Sequence, residues 1–391
     1  MRLNLRVCFL TNIIPPYYRP VFEHLRDRLD RLRIFVSVPM ERGRDWKPDW
    51  RDLPVTVQKC WSYETSWGHE QGFTDSVWRH IPYDTIPLLV RERPDVVIPL
   101  QLGFRTLQAA VYRRLFPKSR LIIWTGLSEH TEKGLPRWRV IQRRVLLRAA
   151  DAVLVNGTSG NRYLQGLGVR ADRIFPEPYC AEIASHLRLP IKREPRTRRR
   201  LIYFGQLIQR KGLKQFLSIL CNWMLMHPEQ QCEFWIAGDG PLRQELESMK
   251  TCPQLRIRFL GSVQYEELPE LYGQGDIYVF PTLADEWGVV VNEALAAGLP
   301  VLGSVYSQAV EELVTDGVTG WTFRPDHPEE VYEALNRAMT TSEEHLNEMR
   351  WASRERIHPL TPEYGARCFL DAIENVHPSA KEATHEESGG D

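Results

Sequence analysis

The sequence lacks the residue clusters that hold metal ions and the long apolar runs that cross membranes. No Asp-x-Asp triplet occurs in its 391 residues, and its eleven histidines form no pair at metal-ligand spacing on one predicted helix. We therefore expect no metal site and no cofactor. The longest weakly polar stretch, 288–303, is interrupted by Asn292 and Glu293, so an integral membrane protein is not predicted either.

Cysteine is scarce and shows no pairing pattern. The seven cysteines are an odd number and are scattered at positions 8, 60, 180, 221, 232, 252 and 368. Neither a disulfide framework nor a thiolate metal site is expected, and a reducing, cytoplasmic location is predicted. The apolar segment 5–10 is too short for a signal peptide and is typical of a first strand.

Acidic residues are few in the first half of the chain. Residues 1–200 carry 36 Lys or Arg against 20 Asp or Glu, and the remainder carries 14 against 30, so a net charge of zero conceals opposite halves. A basic half favours an anionic partner such as a lipid phosphate, a membrane surface or a nucleic acid. Mutual attraction between two lobes explains the same asymmetry equally well.

The stretch 276–300 contains the clearest local pattern. The run from Asp276 to Pro281 predicts a buried strand that feeds a loop, and apolar residues at helical spacing from Gly288 predict a helix that ends at Gly298. Ligands of open α/β sheets bind at the carboxyl ends of strands. The loop after this strand is therefore a candidate binding site.

The start of this helix predicts an anion site. Free backbone N–H groups and the positive end of the helix dipole lie there, and Gly288 allows a ligand to approach the backbone closely. Asp285 precedes the helix and Glu293 lies in its second turn. Carboxylates on both sides of a phosphate suit a nucleotide-sugar, which has hydroxyl groups at both ends of its diphosphate.

Around this stretch the sequence resembles the retaining glycosyltransferases of family 4. Asp285 and Glu293 are similar to the family's Glu-x7-Glu motif, and segment 204–212 is similar to its Gly-Arg-Leu…Lys-Gly phosphate-binding segment. Segments 237–241 and 317–320 extend the resemblance, which covers residues 200–340 well and the first 185 loosely. It implies an α/β GT-B fold, in which two Rossmann-like domains face each other across a cleft.

The resemblance also implies which residues form the site. Its catalytic candidates are Asp285, Lys211 and His130. His130 lies in a loop that would approach the donor sugar, and the neighbouring Glu129 is the alternative to it. The donor-binding candidates are Gly205, Gln206, Arg210, Lys211, Val263, Asp285, Glu286, Trp287, Gly288, Val289, Val290 and Glu293.

Two positions depart from the family pattern. Gln206 stands where the family has an arginine, so Lys211, helped by Arg210, is expected to meet the diphosphate charge. Asp285 is one methylene shorter than the family's glutamate, and Glu286 is an additional acid beside it. We expect either a changed hexose contact or a loss of activity.

The predicted domain organisation has five parts. They are an acceptor-side domain at 1–185, a basic linker at 186–200, a donor domain at 201–358, a helix at 359–376 that returns to the first domain, and a disordered tail at 377–391. Residues 40–85 are predicted to be an irregular insertion. Helix 136–148 carries an apolar stripe of Trp138, Ile141 and Val145 between arginines, which fits an interfacial helix or a half-buried one.

The resulting prediction is a metal-independent, retaining glycosyltransferase. It would move a hexose from a nucleoside-diphosphate sugar to a hydroxyl of a glycan or lipid-linked acceptor, in contact with the anionic inner face of a membrane. A sugar-nucleotide epimerase and a non-catalytic nucleotide-sugar-binding subunit are the alternatives. RNA binding is suggested only by the basic half, and no nucleic-acid partner is expected.

Overall fold

The computed structural model describes residues 2–41, 48–193 and 196–378, which form two units of parallel α/β structure. The first unit comprises the described residues up to Ser66, Ser76–Glu182 and those from Leu360 onward; the second comprises Trp67–Asp75 and Ile183–Pro359. Among these residues, no helix combines the length and apolar character that a bilayer crossing requires.

The first unit is built around a parallel sheet whose central strands are short and almost fully buried. Its strands are β1 Leu3–Thr11, β2 Leu29–Val36, β3 Val55–Val57, β4 Cys60–Gly68, β5 Thr74–Pro82, β6 Val96–Pro99, β7 Arg120–Thr125, β8 Ala152–Val155 and β9 Ile174–Pro176. Its helices are α1 Arg19–Arg28, α2 Thr85–Glu92, α3 Phe104–Leu115, α4 Arg137–Ala149 and α5 Thr158–Gly166. Within the described residues the parallel sheet has the order β3-β2-β1-β6-β7-β8-β9, and β4 pairs with β5 as a hairpin.

The second unit repeats this architecture. Its strands are β10 Arg199–Phe204, β11 Cys232–Ala237, β12 Leu255–Gly261, β13 Ile277–Phe280, β14 Val301–Ser304 and β15 Gly320–Phe323. Its helices are α6 Ala184–Leu187, α7 Leu213–Met226, α8 Arg243–Glu247, α9 Leu268–Gln274, α10 Val289–Ala296, α11 Gln308–Leu313, α12 Pro328–Thr340 and α13 Glu343–Ile357. The sheet order is β12-β11-β10-β13-β14-β15.

The last helix, α14 Pro362–Val376, packs in the first unit. Phe369 makes edge-to-face contacts with Phe9 and Trp124, and α14 lies against α1 on one face of the sheet. The opposite face is covered by α2 to α5, through buried residues such as Tyr112, Leu146 and Leu164. The tail residues 379–391 lie outside the described residues.

Each sheet has one point where the strand order reverses, between β1 and β6 and between β10 and β13. Successive crossovers run in opposite directions from such a point, which leaves a crevice at the carboxyl ends of the two strands. The fold therefore offers one candidate crevice in each unit.

The prediction of an irregular insertion at 40–85 was wrong, since β3, β4 and β5 lie within it. Most of the β4–β5 hairpin is exposed or half-buried on both faces, so it lacks the alternation that signals a strand. Its tip, Trp67–Asp75, belongs to the second unit. Residues 42–47 of this segment lie outside the described residues.

The basic linker predicted at 186–200 is also more structured than expected. Helix α6 reaches its start and β10 includes its end. Arg193 Nη1 donates to the carbonyl oxygens of Tyr272 and Gly275, at 2.9 and 2.6 Å, and Nη2 donates to Ala297 O at 2.9 Å. A guanidinium that satisfies carbonyls at the ends of α9 and α10 fixes this segment to the second unit. Residues 194 and 195 lie outside the described residues.

Candidate active site

The candidate site lies at the carboxyl ends of β10 and β13, where the strand order of the second unit reverses. Gly205 follows β10, Pro281 follows β13, and α10 begins at Val289 after the loop 281–288. The strand, loop and helix predicted for 276–300 are confirmed by these bounds. Val289 and Val290, in the first turn of α10, are half-buried.

Two glycines allow the site's loops to approach each other. Gly288, at the N-cap of α10, has φ 100°, and a Cβ there would lie 2.6 Å from the Phe280 ring. Gly212 has φ 67°, and its Cβ would lie 2.1 Å from Pro281 O. Side chains are strained at such φ values and would collide here, so glycine is required at both positions.

An ion-pair cluster joins the phosphate-binding segment to the loop before α10. Lys211 Nζ and Arg210 both contact Asp285 Oδ2, the latter through Nη1 at 3.3 Å. Arg210 Nη1 also donates to Ala284 O at 3.0 Å, and its Nε donates to Asp75 Oδ2 at 2.8 Å. Burial alone would raise the pKa of Asp285, but the Lys211 and Arg210 charges outweigh it and lower the pKa.

The charges of this cluster balance. Arg210 and Lys211 face the carboxylates of Asp75 and Asp285, and the exposed Glu286 adds a further negative charge near Arg210. These side chains alone therefore give an anion no surplus of positive charge. The backbone N–H groups at the start of α10 supply the remaining positive potential.

Arg210 differs from the sequence-based expectation in its contacts. Its guanidinium holds Asp75, Asp285 and Ala284 together and is largely buried. Burial lowers the pKa of such a group, but the neighbouring carboxylates of Asp285 and Asp75 outweigh burial and raise it. The structure thus gives Arg210 a positioning role, and direct contact with a diphosphate stays a prediction.

Glu293 lies on the inner side of α10 and is only 2% exposed. Tyr272 donates its hydroxyl to Glu293 Oε2 at 2.9 Å. Burial raises the pKa of the Glu293 carboxyl to about 7, although the Tyr272 hydrogen bond opposes the shift. A carboxyl group in this state can act as an acceptor or a donor near neutral pH.

The other predicted donor-binding residues differ in their surroundings. Gln206 is exposed after β10, with its carbonyl oxygen bonded by the Tyr203 hydroxyl at 2.9 Å. Trp287 is buried, and its indole N–H donates to Asn292 Oδ1 at 2.8 Å. Val263 lies further away in sequence and topology, in the loop after the edge strand β12.

Several contacts around the site were not predicted from the sequence. Ser307, the N-cap of α11, donates its hydroxyl to Trp287 O, and Gln308 Nε2 donates to Glu286 O. The Asp285 N–H bonds Tyr306 O at 3.0 Å. A serine before a helical stretch signals an N-cap, but nothing local indicates that this N-cap supports a loop 20 residues earlier.

The hairpin tip is the second missed component. Phe73 and Trp67 pack with Leu283 and Ala284 in one apolar cluster, and Gln71 Nε2 donates to Asp326 Oδ2 at 2.9 Å. This packing places the Asp75 carboxylate beside the Arg210 guanidinium. Since these partners are separated by 135 positions, a single sequence contains no signal for the contact.

His130 belongs to the first unit, in the turn after β7, and is half-buried. Its approach to a donor sugar therefore stays a prediction. The crevice between β1 and β6 of this unit contains another polar group, because Arg105, 8% exposed, donates to Asn12 Oδ1, and Asn12 Nδ2 donates to Glu41 Oε1 at 3.1 Å. Burial lowers the pKa of Arg105 to about 10.

In the part of the chain that the structure describes, no group of three or more His, Cys, Asp or Glu side chains could hold a metal ion. The arrangement offers a helix N-terminus, a lysine paired with the largely buried Asp285 before the helix, and the buried carboxyl group of Glu293 in the second turn of the helix. That set suits an anion flanked by hydroxyl groups.

Most of the second unit matches a known family. Residues 198–341 match the family model of glycosyl transferases group 1. The chain is 28% identical over 256 residues to sulfoquinovosyl transferase SQD2 of Arabidopsis thaliana, and 24% identical over 229 residues to alpha-D-kanosaminyltransferase of Streptomyces kanamyceticus. These matches cover 63% and 56% of this chain but only 47% and 58% of the relatives' own length.

Solved structures share the fold of the whole chain. The lipopolysaccharide outer core galactosyltransferase WaaB matches with a TM-score of 0.68 and 13% identity, over 95% of this chain and 99% of that one. Anabaena HepE, solved with UDP and glucose, matches with a TM-score of 0.68 and 14% identity, over 95% and 100%. The predicted GT-B fold of two α/β domains is thereby confirmed.

Proposed function

We propose that this chain, whose residues 198–341 form a glycosyl transferases group 1 domain, is a retaining glycosyltransferase. It would transfer a hexose from a nucleoside-diphosphate sugar to a hydroxyl group of a glycan or lipid-linked acceptor. The observation that carries the proposal is the meeting of Lys211 and Asp285 beside the start of α10, at the reversal point of the second sheet.

The proposed chemistry is electrostatic. As the bond between the anomeric carbon and the diphosphate breaks, negative charge develops on the leaving phosphate, and Lys211 together with the N–H groups of Gly288 to Val290 would stabilise it. The acceptor hydroxyl would attack from the same face and pass its proton to the leaving phosphate oxygen. Asp285 and Glu293 would orient the hydroxyl groups of hexose and ribose.

A screen of nucleotide-sugars by thermal shift tests the donor assignment. A ligand that binds only the native state raises the melting temperature, so at least one nucleoside-diphosphate sugar should do so. Uridine nucleotides come first, because Anabaena HepE was solved with UDP. Release of the nucleoside diphosphate only when acceptor is present supports a transferase. Conversion of the sugar without acceptor supports an epimerase. Binding of the nucleotide-sugar without any turnover supports a non-catalytic subunit.

Activity should persist in excess chelator. The proposal assigns the diphosphate charge to Lys211 and the helix N-terminus, so no divalent ion is required. The measurement is the rate of nucleoside diphosphate release with EDTA and with added Mg²⁺ or Mn²⁺. A rate that falls to background with EDTA and returns with either ion would contradict this assignment.

The change Asp75→Asn should tighten nucleoside diphosphate binding. The amide oxygen of the new side chain can still accept the Arg210 hydrogen bond, but the cluster loses one negative charge. We expect a gain of about 1 kcal/mol, or about fivefold in Kd, which shrinks as salt is added. Titration calorimetry with UDP measures it.

The matched control for this variant is Asp326→Asn. Asp326 also accepts a hydrogen bond from the hairpin tip, through Gln71, but does not contact the ion-pair cluster. Its replacement should leave the Kd for UDP unchanged. Weaker binding by Asp75→Asn alone would mean that holding Arg210 in place outweighs the charge.

A further inference from the structure

Helix α3 exposes large apolar side chains, whereas the outer face of a surface helix is ordinarily polar. Phe104, Leu107, Val111 and Leu115 are all exposed, the last by 63%. Their spacing of three and four residues places them in one stripe along the helix. The side turned to the sheet buries Ala109 and Tyr112 together with the polar residues Arg105, Thr106 and Gln108. The continuous apolar stripe of α3 is therefore the exposed one.

Helix α4 repeats the pattern. Trp138, Ile141 and Val145 are exposed by 61%, 60% and 56%, while Leu146 and Leu147 pack into the core. The helix is therefore half-buried, as one of its two interpretations expected, but its stripe of Trp138, Ile141 and Val145 is on the exposed side. Since α3 and α4 contact each other on the same face of the sheet, their two stripes belong to one surface, which we call the α3–α4 face.

Cations flank this face. Residues 101–150 contain eleven Lys or Arg but only two acids, Glu129 and Glu132, and neither acid lies on α3 or α4. Both acids are paired, Glu129 with Arg162 and Glu132 with Arg143. Arg114, Lys118, Arg137, Arg144 and Arg148 are exposed on or beside the two helices.

We infer that the α3–α4 face docks on an anionic membrane surface. Apolar side chains that insert at the level of the headgroups, with lysines and arginines around them, are the pattern of interfacial helices. A second copy of the chain fits less well, because two copies of this face would bring arginine against arginine without intervening acids. This inference does not depend on which sugar or nucleotide the second unit binds.

The test is flotation of the full chain with vesicles of phosphatidylcholine alone or mixed with phosphatidylglycerol. Binding should require the anionic lipid and fall with salt. The double variant Arg137→Glu, Arg144→Glu should lower the partition coefficient at least about tenfold, since each cation near such a surface contributes about a factor of five. The neutral pair Leu107→Gln, Ile141→Gln should weaken binding at both low and high salt.

Matched controls separate this face from general charge and apolarity. Arg28→Glu with Arg170→Glu makes the same charge change at exposed positions of the same unit, and Leu225→Gln with Met226→Gln removes exposed apolar groups from α7. Both pairs should bind vesicles as the parent chain does. Equal losses in the controls, or no anionic-vesicle binding by the parent chain, would overturn the inference.

Sedimentation velocity tests whether a second copy of the chain, and not a membrane, covers the α3–α4 face. A parent chain that forms a dimer, which the pair Leu107→Gln, Ile141→Gln converts to a monomer, and that binds no vesicles would assign the face to self-association. A parent chain that stays monomeric and floats only with anionic vesicles supports membrane docking.

Discussion

Replacing Lys211 by alanine is expected to abolish most turnover. The ammonium group pairs with Asp285 beside the start of α10, where the proposal places the leaving diphosphate. Removing one group that stabilises charge in a transition state typically lowers kcat about 10²- to 10³-fold, or about 3–4 kcal/mol. Release of nucleoside diphosphate at a series of donor concentrations measures the effect. Comparing the change in kcat with the change in kcat/KM separates chemistry from binding.

Lys214→Ala is the matched control for this variant. Lys214 lies three positions later on α7, is half exposed and pairs with Glu245 away from the cluster. Its replacement should leave the rate unchanged, whereas Gln206→Arg should be tolerated or should raise donor affinity. Near-normal turnover by a folded Lys211→Ala chain would show that the diphosphate lies elsewhere.

Glu293→Gln is expected to weaken donor binding while stabilising the fold. The carboxylate would accept hydrogen bonds from the ribose hydroxyl groups, and a hydrogen bond to a charged group contributes about 1.5–3 kcal/mol. The Kd for a nucleoside diphosphate should therefore rise more than about tenfold. Titration of the folded variant above pH 7, where the parent carboxyl is charged, gives the comparison.

The stabilisation by the same change should depend on pH. Burial raises the folded-state pKa of Glu293 from an ordinary 4.5 to about 7, so between these values the folded state holds more protons than the unfolded state. The free energy of unfolding then falls as pH rises through this window, by about 3 kcal/mol in all, and stays lower above it. Glu293→Gln should abolish that loss, so its melting temperature exceeds the parent's above pH 7 and equals it near pH 4.5.

Glu270→Gln on α9 is the control, because Glu270 is exposed and does not contact the cluster. It should change neither the Kd nor the pH dependence of the melting temperature. If Glu293→Gln left donor affinity unchanged while still raising stability, Glu293 would be a buried structural carboxyl like Glu177. That residue accepts hydrogen bonds from Tyr18, Trp124 and Asn156, at 2.6, 2.9 and 3.1 Å.

Local sequence signals were sufficient for the frame of the site. A short apolar strand, a single glycine at the start of the helix and a Gly-Leu-Pro stop predict the strand, loop and helix of 276–300, because these signals act between residues a few positions apart. The same locality explains the strands of both sheets. It also explains why the strands within 40–85 were not predicted, because a hairpin exposed on both faces shows no alternation of apolar and polar residues.

The sequence alone was therefore enough to predict the pair of parallel α/β units, which the structure confirms. It also predicts an anion site at the start of α10 with Lys211, Asp285 and Glu293 as candidate residues, and this stays a prediction. The surroundings of these residues became visible in the folded chain. Arg210 donates to the loop carbonyl of Ala284, the Asp75 carboxylate pairs with Arg210 from 135 positions away, and the Tyr272 hydroxyl donates to Glu293. Contacts of this kind depend on which elements pack together, and the sequence pattern of each element alone does not specify its partner. The α3–α4 face follows the same rule, since an apolar stripe is visible in the sequence of a helix, but only the packing of the helix shows whether the sheet covers that stripe.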